Sequence, residues 1–160
     1  MRRLAQPWTF RVRTALPHLL CLWLLAACAH TPARPTPDPE SIRATAEAFH
    51  LRTRWKDFRG AADLIVADRR QAFVDAREQL RDERDLTISD YELTDLRLDP
   101  AGERAWIVSR ISWLRLPSVS EQTQMVTTEL VGSGRAWQIA RQDRGPFADV
   151  LSPPYVPSAP

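Results

Sequence analysis

The feature that most limits the fold is a change of pattern at Asp85. Before Asp85, from residue 39 onward, apolar residues recur every three or four positions, as they do in helices with one packed face. After Asp85, Thr, Val, Ile and Trp become common, and alternating runs are separated by turn residues. Helices followed by strands predict an α+β domain whose helices pack on one face of an antiparallel sheet.

The first helix is predicted to begin at Asp38-Pro39, because aspartate caps helix N-termini and proline fits the first helical position. It should end near Phe58. At roughly 100° per residue, its two opposite faces are both apolar. One face carries Ile42, Ala46, Phe49 and Thr53, and the other carries Ala44, Ala48, Leu51 and Trp55. Two apolar faces predict a helix packed on both sides, between the sheet and another helix.

The polar stripe between those faces contains Arg43, Glu47, His50, Arg54 and Asp57. Gly60 interrupts the helix, and a short helical piece is predicted over residues 61–66. Asp68, with Gln71 three residues later, has the spacing of a capping box that starts a helix over residues 69–84. Its predicted apolar stripe is Ala72, Phe73, Ala76 and Leu80. Its predicted solvent side is Arg77, Glu78, Arg81, Asp82 and Glu83.

Four strands are predicted after Asp85, over residues 86–98, 104–116, 121–131 and 135–141. A shift in alternation within residues 90–94 indicates a bulge in the first strand. Short turns between successive strands predict an antiparallel meander. The residues predicted to face the core from the later strands are Ala105, Ile107, Ile111, Trp113, Val126, Thr128, Leu130, Trp137 and Ile139.

Element order and two short motifs carry a resemblance to a known family. The motifs are Trp55–Phe58 (WKDF) with Ala61-Ala62, and Trp137–Ile139 (WQI) on the last strand. Over about residues 39–147 the chain resembles the nuclear transport factor 2-like (SnoaL-like, ketosteroid isomerase-like) α+β cone. The resemblance implies a curved sheet and a long helix around a cavity open at one end. Its members include enzymes, binding domains and accessory domains. The cystatin topology stays open as an alternative.

The N-terminal segment resembles that of bacterial lipoproteins. Four arginines and no acid precede the apolar run Leu19–Ala27, which ends in Leu25–Cys28 (LAAC). That run is shorter than the roughly 20 residues that a membrane-spanning helix needs. LAAC resembles a lipobox, which implies cleavage between Ala27 and Cys28, acylation of Cys28 and a membrane anchor. Ala29 rather than aspartate after the cysteine favours the outer membrane, facing the periplasm.

This reading divides the chain into a signal peptide (residues 1–27), a proline-rich tether (28–38), the α+β domain (39–150) and a disordered proline-rich tail (151–160). Cleavage removes four of the 22 basic residues and none of the 20 acids, so the net charge changes from +2 to −2. The basic isoelectric point therefore belongs to the precursor, and nucleic-acid binding is not indicated. Cys28 would be the only cysteine left, so no disulfide is expected.

No catalytic residue, cofactor or metal site can be assigned from sequence motifs. The acid–base candidates are His50, Asp57, Asp90, Tyr91 and Glu92. An enzyme of the cone fold would need one of these carboxylates inside a closed apolar pocket, where burial raises its pKa. None of them matches a family catalytic set.

Tryptophan positions indicate possible contact surfaces. The candidate pocket or interface residues are Trp55, Asp57, Tyr91, Trp106 and Trp113. Trp113 and Trp137 are predicted core or cavity wall, whereas Trp106 lies on the other sheet face, where it could meet a partner protein or a second copy. The predicted function is a membrane-anchored, non-catalytic binding or accessory lipoprotein for a partner protein or a small apolar ligand. The alternatives are an isomerase-, cyclase- or dehydratase-like enzyme that uses a pocket carboxylate, and a structural lipoprotein of an envelope complex.

Overall fold

The computed structural model describes residues 38–133 and 136–152, which form helices packed on a four-stranded antiparallel sheet. The helices are α1 (Pro39–Arg54), α2 (Phe58–Ala62), α3 (Ala67–Gln79), α4 (Asp82–Asp85) and α5 (Ala148–Leu151). The strands are β1 (Leu86–Leu98), β2 (Arg104–Arg115), β3 (Gln122–Ser133) and β4 (Ala136–Gln142). The predicted α+β class is confirmed. The predicted lipobox at Leu25–Cys28, most of the predicted tether and the predicted tail beyond Ser152 lie outside the described residues.

The sheet is a meander, as predicted, with order β1-β2-β3-β4 and every neighbouring pair antiparallel. In β1 the register shifts between Ile88 and Asp90 and again between Leu93 and Asp95, which confirms the predicted irregularity. The inward residues of β2 and β3 are buried as predicted, from Ala105 to Trp113 and from Val126 to Leu130. Trp137 and Ile139 of β4 are buried with them.

Helix α1 begins as predicted, with the Asp38 carboxylate accepting a hydrogen bond of 3.0 Å from the Glu40 amide. Its face from Ile42 to Thr53 is buried against the sheet. The predicted second packed face is wrong: Leu51 is 49% exposed and Trp55 77% exposed. The reason is that α3 packs against α2 and α5, so no described helix covers that side of α1. The helix also ends at Arg54, earlier than predicted, because Lys56 takes a left-handed conformation.

Helix α3 differs most from its prediction. It begins at Ala67 with Val66 at the N-cap and no side-chain capping bond, so the capping box at Asp68 does not form. Arg77, predicted to face solvent, is only 2% exposed, whereas Leu80 of the predicted apolar stripe is 41% exposed. The helix stops at Gln79 because Arg81 is left-handed, and Asp82 begins a separate turn of helix.

The end of the described chain folds back onto the helices. Gly145 turns the chain after β4 at φ +92°, where a Cβ atom would lie 2.9 Å from the Val126 side chain. Phe147 and Leu151 follow and are fully buried. Helix α5 contacts α3 and β4, so residues 145–152 close one side of the core.

Candidate functional site

The space between the helices and the sheet is filled by apolar side chains. Phe49, Phe73 and Phe147 are fully buried and lie against one another, with ring centroids 6.0, 5.7 and 5.5 Å apart for the three pairs. Ile107, Leu130 and other branched residues of the sheet, each no more than 1% exposed, complete the packing. Around these rings the interior of the described domain is close-packed, whereas the family resemblance implies a cavity between the long helix and the sheet.

A buried ion-pair network lies beside this core. The Arg77 guanidinium is 2.9 Å from the Asp82 carboxylate, is paired with Asp149, and donates 3.1 Å to the Pro146 carbonyl. Arg115 reaches the same Asp82 oxygen at 3.1 Å. Burial raises the pKa of Asp82, and the two guanidinium groups oppose that shift. The network joins α3, α4, β2 and the segment before α5, so its evident role is to hold these elements together.

His50 lies in an apolar environment rather than on the predicted polar stripe. It is 1% exposed, its ring stacks on Tyr91 with centroids 5.1 Å apart, and its Nδ1 has no hydrogen-bond partner among the described residues. Burial lowers the pKa of His50 from 6.5 to about 4, because the charged imidazolium would lose its hydration. A neutral, packed histidine cannot reach a substrate from this position.

The burial of His50 predicts that the protein loses stability as the pH falls. Above pH 6.5 neither state carries the extra proton, but below it the unfolded chain binds a proton that the folded chain excludes. The free energy of unfolding should fall by about 2 kcal/mol between pH 7 and pH 5 from this residue alone. Urea unfolding measured at both pH values checks this. In a His50→Phe variant the pH dependence should be smaller by that amount, and equal slopes in both proteins would contradict the prediction.

The carboxylates considered for catalysis face solvent. Asp57 is exposed and caps α2 by accepting 2.9 Å from the Gly60 amide, where any side chain at residue 60 would collide with it. Asp90 is exposed, and Glu92 is exposed and paired with Arg110 at 2.6 Å. A carboxylate in a closed apolar pocket, which the enzyme alternative requires, is therefore not provided by Asp57, Asp90 or Glu92.

The tryptophans and Tyr91 occupy different environments. Trp55 is exposed at the end of α1, Trp113 is 6% exposed inside the core, and Tyr91 is half-buried against His50. Trp106 is half-buried on the outer face of the sheet, opposite Arg97 and Glu129 in register. These residues are not brought together into one site.

The outer sheet face around Trp106 is largely polar. Its ion pairs are Arg97–Asp95 (2.9 Å), Arg104–Glu129 (2.9 Å) and Arg110–Glu92 (2.6 Å). The long side chains of such residues can cover apolar surface with their methylene groups while their charges stay in water. This face therefore has partners for its charges within the domain.

A surface cleft of about 570 Å³ lies where α1 and α3 end, beside α2 and α4. Its lining residues are Lys56, Asp57, Phe58, Arg59, Val74, Arg77, Glu78, Arg81, Glu83 and Arg84. Five of these ten residues are basic and three are acidic. The sequence pattern identified Asp57 alone among them as a site candidate. One signal available in the sequence was that Lys56, directly after Trp55, is the chain's single lysine.

The described residues contain neither a metal-ligand cluster nor a membrane-spanning helix. Within residues 38–133 and 136–152 there is no group of three or more His, Cys, Asp and Glu side chains placed to hold a metal ion. No helix in the same part of the chain has the length and apolar character needed to cross a bilayer.

Known proteins share the fold of this chain at low sequence identity. No family model and no curated protein matches the sequence. A ketosteroid isomerase-like protein from Erwinia carotovora atroseptica has a TM-score of 0.51 and 13% identity, covering 64% of this chain and 91% of that protein. The intermembrane space region of the chloroplast protein ARC6 has a TM-score of 0.50 and 10% identity, covering 68% and 96%.

A protein of unknown function with a cystatin-like fold from Nostoc punctiforme is also similar, with a TM-score of 0.46 and 12% identity, covering 66% of this chain and 87% of that protein. The match to the Erwinia protein shows that the chain has the helices-on-meander α+β fold seen in that ketosteroid isomerase-like protein. At these identities the likeness concerns the fold alone, because one such fold carries many unrelated functions.

Proposed function

We propose that this protein is a lipid-anchored accessory protein of the bacterial envelope whose α+β domain binds its partner or ligand on an outer surface, without catalysis. The observation that supports binding on an outer surface is the packing of aromatic rings inside the domain. Phe49, Phe73 and Phe147 are fully buried against one another, whereas the family resemblance implies a cavity between the long helix and the sheet. Removing such rings from water and packing them closely is strongly favourable, so an open cavity at this place would be less stable than the packed rings.

The envelope location rests on the N-terminal sequence. A basic segment, a short apolar run and Leu25–Cys28 have the order of a lipoprotein signal, and the prolines that follow would extend a tether by about 3 Å per residue. A domain held at the end of such a tether can meet partners near the membrane. Stable anchoring requires more than one acyl chain, as lipidation of this type supplies.

The mass of the native protein tests the binding mode. The mature chain, residues 28–160 with Cys28→Ser and exported through an ordinary cleavable signal peptide, should give a native mass spectrum without a ligand inside the fold. An extra mass that is released on denaturation would contradict the proposal if it persists in a Lys56→Gly/Arg81→Gly variant. That pair alters the surface cleft and leaves the interior unchanged.

Replacing Cys28 by serine in the full chain is expected to abolish the anchor, because serine provides no thiol for acylation. The wild-type protein should fractionate with membranes and incorporate radiolabelled palmitate. The Cys28→Ser variant should incorporate none and should accumulate as an unlipidated precursor. Replacing Cys21, in the apolar run, by serine is the matched control and should leave labelling intact. Palmitate incorporation into Cys28→Ser at the wild-type level would refute the lipidation site.

A further inference from the structure

We propose that the surface cleft at the ends of α1 and α3 is a binding site for an organic anion, a molecule with a carboxylate or phosphate group on an apolar body. This inference rests on the proposed binding role and names the site and the ligand class. It is carried by the basic residues of the cleft, by the two apolar residues among its lining, and by the backbone conformation of two of the basic residues.

The lining of the cleft carries five basic and three acidic side chains, and its acids Asp57 and Glu83 form no ion pair within the described residues. Arg59 lies 3.4 Å from Glu78, and both side chains are mostly exposed, which makes this a weak, solvent-screened pair. Arg84 is held by Asp85 through two hydrogen bonds of 2.6 and 2.8 Å.

Among the described residues, Lys56 and Arg81 have no carboxylate within ion-pair distance, and the Asp85 carboxylate acts on both through longer-range electrostatics. The Lys56 ammonium donates 2.6 Å to the Glu83 carbonyl, an uncharged acceptor. The Arg81 guanidinium makes no hydrogen bond or ion pair within the described residues. An anion placed between these two groups would gain charge-assisted hydrogen bonds, which are stronger than neutral ones.

Two of the ten residues that line the cleft are apolar: Phe58, which is 8% exposed, and Val74. Arg77 also reaches the lining, but its charge is engaged by Asp82 and Asp149. A volume of about 570 Å³ lies within the range of small-molecule pockets, roughly 300–1,000 Å³. Apolar side chains beside basic groups suit a ligand with an apolar body and one charged end.

The backbone at Lys56 and Arg81 gives independent support. In residues 38–133 and 136–152, these are the non-glycine residues with positive φ, at 62° and 54°. Each directly follows the C-cap of a helix, where glycine is the usual residue because it has no Cβ to strain the left-handed conformation. At Lys56 both hydrogen bonds of a Schellman C-cap motif are present: the Lys56 amide donates to the Thr53 carbonyl, and the Asp57 amide donates to the Arg52 carbonyl.

A basic side chain therefore stands at both positions where glycine would fit more easily, and both side chains line the same cleft. Strained conformations that persist at one location point to a role for the side chain itself. If the turns were purely structural, glycine at each position would relieve backbone strain at no cost. If the cleft binds an anion, glycine at both positions would remove two of the basic side chains that contact it.

Binding of 8-anilinonaphthalene-1-sulfonate, an anion with an apolar body, tests the proposal on the mature Cys28→Ser chain. We expect saturable fluorescence that is displaced by 1-naphthyl phosphate and by 1-naphthoate, but not by 1-naphthol, which is neutral at pH 7. The two anions show whether phosphate or carboxylate is preferred. Displacement by 1-naphthol at the same concentration as the anions would overturn the requirement for charge.

The decisive variant is Lys56→Gly/Arg81→Gly. We expect its affinity for the anilinonaphthalene sulfonate to fall at least about tenfold while its Tm rises by about 2–8 °C, since strain is relieved at two turns. Arg110→Gln, which removes an exposed arginine from the outer sheet face, is the matched control and should bind like the wild type. Unchanged affinity in the double glycine variant would overturn the proposal.

A second pair of variants separates binding from stability. Lys56→Gln and Arg81→Gln keep a side chain in the left-handed position, so Tm should stay near the wild-type value while affinity falls in each. If both glutamine variants bind as tightly as the wild type, the cleft is not an anion site. That result would leave the proposed function standing. The proposed function is contradicted by a different result, a ligand that the double glycine variant still retains inside its fold.

Discussion

Replacing Asp82 by asparagine is expected to lower the free energy of unfolding by about 3–5 kcal/mol, the usual loss when one partner of a buried ion pair is removed. Asparagine has nearly the same shape, so the packing of Asp82 is preserved. Its side chain carries no charge, however, and it leaves Arg77 buried with only Asp149 as an acidic partner. Urea unfolding followed by circular dichroism measures the change.

Two further variants test whether the loss of unfolding free energy in Asp82→Asn comes from the buried charge. Glu92→Gln breaks the exposed pair with Arg110 and should cost less than about 1 kcal/mol. Arg77→Met/Asp82→Asn removes both buried charges. Its loss of unfolding free energy should be smaller than the sum of the losses in Arg77→Met and Asp82→Asn. The reason is that the remaining partners, Arg115 and Asp149, are partly exposed and can be hydrated. Additive losses in the double variant would show that Arg77 and Asp82 do not depend on each other.

The same network shows where sequence reasoning fails. Arg77 and Asp82 follow a pattern of charges that is normally a solvated helix face, and their burial depends on partners distant in the sequence. Pro146 and Asp149 are 69 and 72 residues away from Arg77, and Phe147 covers its guanidinium at 5.1 Å. Helical periodicity cannot reveal such partners, because it describes only neighbours on one helix.

The sheet was predictable because alternation and turn residues are local signals. β2 carries buried Ala105, Ile107 and Ile111 at alternating positions, and its partner strands follow after short turns. The N-terminus of α1 was predictable for the same reason, since the Asp38 cap acts on the next residues of the chain. Element order, strand pairing and the start of the long helix therefore follow from the sequence.

The cleft was not predictable, because it combines separate helix ends that approach one another only in the fold. Lys56 and Arg81 lie 25 positions apart, and neither carries a sequence signal for positive φ, which is normally marked by glycine or asparagine. The predicted position of His50 on a polar stripe was wrong for a related reason. Helical periodicity placed it with charged residues, but Tyr91 from the irregular part of β1 stacks on its ring.

Replacing Phe147 by alanine is expected to cost about 3–5 kcal/mol, as large-to-small changes of buried phenylalanine do. Phe147 is fully buried against Phe49 and Phe73, and it lies over the Arg77 guanidinium. Its removal therefore takes away an aromatic contact and a cation–π contact as well as buried area. Urea unfolding gives the loss, and Met125→Ala, at a site that is 46% exposed, should cost less than about 1 kcal/mol.

The Phe147→Ala variant also probes the interior directly. If the wild-type interior is a filled core, 1-naphthol should not bind it, whereas the truncated side chain leaves a space that apolar molecules can enter. We expect the variant to be stabilised by 1-naphthol, with a midpoint of unfolding that rises with probe concentration, while the wild type stays unchanged. Equal stabilisation of both proteins would mean that the wild-type interior already accepts apolar ligands, and the domain would then bind inside its cone as well as on its surface.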